Sequence, residues 1–76
     1  MLTPEQIIES EYLESRCSLL EIAAMLDRYY LAIERGSKIA DNDEKLNCLR
    51  EALALLAQEG NSTERAEQLL HLFATV

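Results

Sequence analysis

Glycine and proline are nearly missing from this chain, which has two glycines and one proline in 76 residues. Pro4 and Gly36 enclose 31 residues that contain neither, so no helix breaker interrupts that stretch. Basic residues are also scarce, 7 against 14 acidic ones, for a formal net charge of -7. That balance argues against nucleic acid, whose binding is driven by neutralising phosphates. It argues equally against an anionic membrane surface. No apolar run approaches the roughly 20 residues of a membrane span. The opening Met1-Leu2-Thr3-Pro4-Glu5 lacks the basic start and apolar core of a signal peptide, so a cytoplasmic location is expected.

Chemistry-bearing residues are sparse as well. The single histidine, His71, has Gln68 three residues before it. The paired Glu-x-x-His motifs of a di-iron bundle are therefore missing, and a surface histidine is expected. Cys17 and Cys48 show no Cys-x-x-Cys spacing and are expected as thiols. Asp41-Asn42-Asp43 lacks the glycine and terminal glutamate of a calcium loop. Glu11-x-x-Glu14 and Asp41-x-x-Glu44 mimic the acidic pairs with which all-α phosphohydrolases hold magnesium. However, Glu14 lies 21 residues before Arg35, about 30 Å along a helix from the turn that carries Asp41. Such a cation-dependent phosphohydrolase could assemble its carboxylates only across a dimer, and it ranks second. No catalytic residue, cofactor or metal site is expected.

What is present is helical periodicity. Apolar residues make up 49% and charged residues 28%, a globular profile. Length suits one domain, residues 1–76. A single core of this size supplies only about 3–5 kcal/mol, which makes oligomerisation an expected staple. Helix 1 is expected over about 4–35, with Thr3 as N-cap, Pro4 in the first turn, Gln6 closing a capping box and Gly36 as the C-terminal stop. Helix 2 is expected over about 42–58, capped by Asp41 with Glu44, and helix 3 over about 62–75, capped by Asn61 with Glu64. Gly60 is expected to end helix 2. The fold class is all-α: a long N-terminal helix with two shorter helices folded back on it, a helical hairpin core resembling a three-helix bundle.

Helix 1 carries two apolar faces. One runs Ile8, Tyr12, Ser15, Leu19, Ile22, Leu26, Tyr29, Ile33, with spacings alternating four and three. About 150° away, at 100° per residue, lies a second and narrower line: Leu13, Cys17, Leu20, Ala24 and Leu31, with Asp27 at its edge. Two polar lines separate them, one of Ser10, Glu14, Glu21, Arg28 and Arg35, the other of Glu9, Arg16, Asp27 and Glu34. A helix apolar on two sides needs cover on both. Leu13, Cys17, Leu20, Ala24 and Leu31, with Met25 and Tyr30 at the fringe, are therefore the expected interface. The expected partner is a second copy in a homodimer, or another helical protein. On helix 2, Leu46, Leu49, Ala52, Leu53 and Leu56 are the expected core face, with Cys48 and Leu55 projecting elsewhere. On helix 3 the expected stripe is Ala66, Leu69, Leu70, Phe73 and Val76, with Leu72 at its margin.

Overall fold

The computed structural model describes residues 1–36, 38 and 43–75. Ile39, Asp41, Asn42 and Val76, to which the sequence assigns a place in the connection, the helix 2 cap and the last stripe, lie outside the described residues. The chain is all-α, with a long first helix and two shorter ones: α1 (Pro4–Glu34), α2 (Glu44–Ala57) and α3 (Arg65–Phe73). It divides into two compact units, Met1–Ile39 and Ala40–Val76, and each is described by itself.

The first unit is α1, 31 residues without a break, about 46 Å at 1.5 Å per residue. Its start follows the local code. The Gln6 amide donates to the Thr3 hydroxyl at 3.2 Å, and the Thr3 amide donates to Gln6 Oε1 at 2.9 Å. Two of the donors that a helix start leaves orphaned are thus satisfied reciprocally. At the other end the Gly36 amide donates to the Ile33 carbonyl at 3.0 Å. Gly36 has φ +97°, the left-handed stop that a side chain would resist.

The second unit is a helical hairpin in which α3 packs on α2. Lys45, Cys48 and Leu49 near the start of α2 surround one shallow depression with Phe73 from the end of α3. Leu72 and Thr75 line another with Glu44, Asn47 and Glu51. The two helices therefore run antiparallel, with Cys48 between the two depressions.

The hairpin departs from expectation in which face it buries. Cys48 and Ala52 are the most covered residues, each 6% exposed. Leu46, Leu49, Leu53 and Leu55 are half-buried and Leu56 is exposed. Cys48 belongs to the core rather than projecting away from it. On α3 the half-buried residues are Arg65, Leu69 and Leu72, while Leu70 stands out at 71% exposure. Leu72 and Leu70 thus exchange the places that periodicity assigns them, and Ala66 and Phe73, expected in the same stripe, are exposed. The reason is that both helices are apolar over a wider arc than one neighbour covers. The direction of packing then follows side-chain size: the small Cys48 and Ala52 are the residues that end up buried, and small residues let packed helices approach closely.

Both helix boundaries at the hairpin turn also shift inward. α2 ends at Ala57, and Gln58 turns extended with φ -60° and ψ 132°. Gly60, with φ +124°, bends the connection beyond the helix rather than ending it. α3 begins at Arg65, and Asn61 is not its cap. Instead the Glu64 amide donates to the Ser62 hydroxyl at 3.2 Å, a local turn that delays the helix. The Arg65 guanidinium then reaches back to the carbonyls of Gln58 at 2.6 Å and Ser62 at 3.0 Å. At the start of α2, the N-cap is Asp43, which makes no side-chain capping bond.

Candidate interaction surface

The surface to be explained lies on α1. The unbroken helix keeps Leu13, Cys17, Leu20, Ala24 and Leu31 on one line, because their four-and-three spacing tracks the helical repeat. Leu13 is 66% exposed, Leu20 60% and Leu31 43%. Cys17 is exposed and Ala24 is half-buried. At the fringe, Met25 is half-buried and Tyr30 is exposed. The Tyr30 ring meets the Tyr29 ring edge-on, with centroids 5.1 Å apart and planes at 89°. That geometry suits the aromatic quadrupoles and fixes the direction in which Tyr30 presents itself.

The opposite face divides in two. Ile22, Leu26, Tyr29 and Ile33 are half-buried. Ile8, Tyr12 and Leu19 are exposed, and no residue before Ile22 is even half-buried. The more exposed part of this face reaches across to the second line. Tyr12, Ser15, Arg16, Leu19, Leu20 and Ala23 line one shallow, open depression. Sequence periodicity marks the first face as apolar, but it carries no signal of which of its residues are the more exposed.

The chemistry available here is apolar contact flanked by charge. Among the described residues, no three His, Cys, Asp or Glu side chains gather closely enough to hold a metal ion. His71 lies 3.8 Å from Glu67 one turn earlier on α3, and both side chains are largely exposed. Such a pair contributes little, within about 0–1 kcal/mol. Cys17 and Cys48 are both free thiols. No described helix is long and apolar enough to cross a membrane. Comparison with protein-family models, curated proteins and solved structures finds no match.

Proposed function

We propose that the protein is a non-enzymatic helical interaction module that self-associates as a homodimer through the second apolar face of α1. A cytoplasmic location is part of the same reading. The observation that carries it is the exposure of Leu13, Leu20 and Leu31 along one side of an uninterrupted helix whose other side is also apolar. Burying such side chains against a partner yields about 25 cal/mol per Å² of apolar surface, which a small domain can use as its staple. Tyr30 fits the margin, since tyrosine buries a ring while its hydroxyl stays wet.

Sedimentation equilibrium of the purified chain tests the reading, with Leu20→Glu as the decisive variant. The exposure of Leu20 means the substitution leaves the isolated fold intact. In a dimer seam it would strand an unpaired charge, and the association constant should fall roughly 100-fold or more. A wild-type chain that sediments as a monomer throughout, or a dimer indifferent to the change, overturns the reading.

A further inference from the structure

We propose that the second copy lies antiparallel along the second apolar line of α1, in the register that sets Glu14 beside Arg35 and Glu21 beside Arg28 of the other copy. This rests on the self-association reading and adds its orientation. Glu14, Glu21, Arg28 and Arg35 recur every seven residues, so on a continuous helix they form one ridge beside the apolar line. All four are exposed. None has an opposite charge three or four residues away, the spacing at which a helix forms its own ion pairs. Glu21, for example, has only Cys17, Ser18, Ala24 and Met25 at those positions.

The order acid, acid, base, base is its own complement when reversed. In an antiparallel helix pair, matching ridges on the same side of the seam face each other, and flanking charges set orientation. Two copies then gain two Glu14–Arg35 and two Glu21–Arg28 pairs. The same alignment sets Leu20 against Leu31 and Cys17 against Glu34 of the second copy, and it leaves Leu13 at the margin of the seam, level with the chain just past the second copy's α1. Asp27 meets Ala24 of the second copy, whose small side chain leaves the carboxylate in reach of water. A parallel pair brings opposite ridges together instead. There the repulsion of Glu9 with Glu14 cancels the attraction of Arg16 with Glu21, while Arg28 and Arg35 face Ala23 and Tyr30. The charges thus favour one orientation and one occupant, a chain of this same sequence.

Charge exchange in the full chain tests the orientation. Glu21→Arg should weaken the dimer about tenfold, because it turns two attractions into repulsions. Adding Arg28→Glu should restore wild-type affinity, since the exchanged pairs still oppose; in a parallel pair the double variant stays weak. A distance measurement is independent of these changes. A spin label at Ser10→Cys, with Cys17→Ala and Cys48→Ala, should give about 45 Å between copies, from 1.5 Å rise per residue. A parallel dimer would give less than about 20 Å, given helix axes 8–10 Å apart. A dimer with the short distance, or one that the double exchange does not rescue, overturns the orientation and leaves self-association standing. A wild-type chain monomeric at every concentration leaves the face to a different protein and overturns both.

Discussion

Arg65 Nη2 donates a 2.6 Å hydrogen bond to the carbonyl oxygen of Gln58, seven residues earlier. Nη1 of the same guanidinium donates to the Ser62 carbonyl at 3.0 Å. One side chain therefore closes the turn between α2 and α3, tying the residue after one helix to the first residue of the next. Hydrogen bonds from a charged donor are stronger than neutral ones, and the planar fork of arginine serves two acceptors at once.

Arg65→Ala should accordingly destabilise the hairpin by about 1–2 kcal/mol, the scale for charge-assisted bonds that are only partly buried. Arg65→Lys should recover less than half of that, because an ammonium has no fixed fork. Urea unfolding followed by circular dichroism reads both values. Equal stability of all three chains would show that the turn holds without the guanidinium.

The two cysteines should differ sharply in reactivity. Cys17 is exposed on α1, whereas Cys48 is 6% exposed in the hairpin core. In the Leu20→Glu chain, whose seam is opened, a thiol reagent should therefore modify Cys17 first, with Cys48 at least about tenfold slower in native buffer because it reacts only through opening of the unit. In denaturing urea the two rates should converge. Mass spectrometry of the time course assigns each site, and simultaneous modification would contradict the burial of Cys48.

Gly36→Ala should cost about 1 kcal/mol, the penalty for placing a Cβ at a left-handed position. No atom stands within 4 Å of where that Cβ would lie, so the cost comes from backbone conformation alone. Hydrogen exchange should then quicken in the last turn of α1, at Arg35 and Gly36, whose amides bond to the Leu31 and Ile33 carbonyls. Protection in the first turn, held by Thr3 and Gln6, should not change. Uniform loss along the helix would mean that the stop has wider influence.

α1 was the most legible element, because its signals act within a few residues. The Thr3–Gln6 box forms a reciprocal pair of bonds, and the stop at Gly36 uses the conformation that glycine tolerates best. The hairpin was less legible. Asn61 and Glu64 match a capping box in type and spacing, yet the Ser62 hydroxyl takes the Glu64 amide first. Competing caps one residue apart differ by less than the free energy of tertiary packing, so composition does not rank them. For the interaction surface, periodicity marked both faces of α1. It had no means of showing that Ile8, Tyr12 and Leu19 stay exposed while Ile22, Leu26, Tyr29 and Ile33 do not.

The amino-acid order alone determined that the chain is helical, that one helix is long and unbroken, and that it bears two apolar lines with an acid-acid-base-base ridge between them. These properties depend on neighbours within one or two turns, where the physics is local. Only the tertiary structure decided that Cys48 and Ala52 are buried while Leu56 is exposed, that Leu72 turns in and Leu70 out, and that Arg65 closes the turn. An apolar arc wider than its contact has several nearly equal ways to pack, and close approach of two backbones at small side chains selects among them.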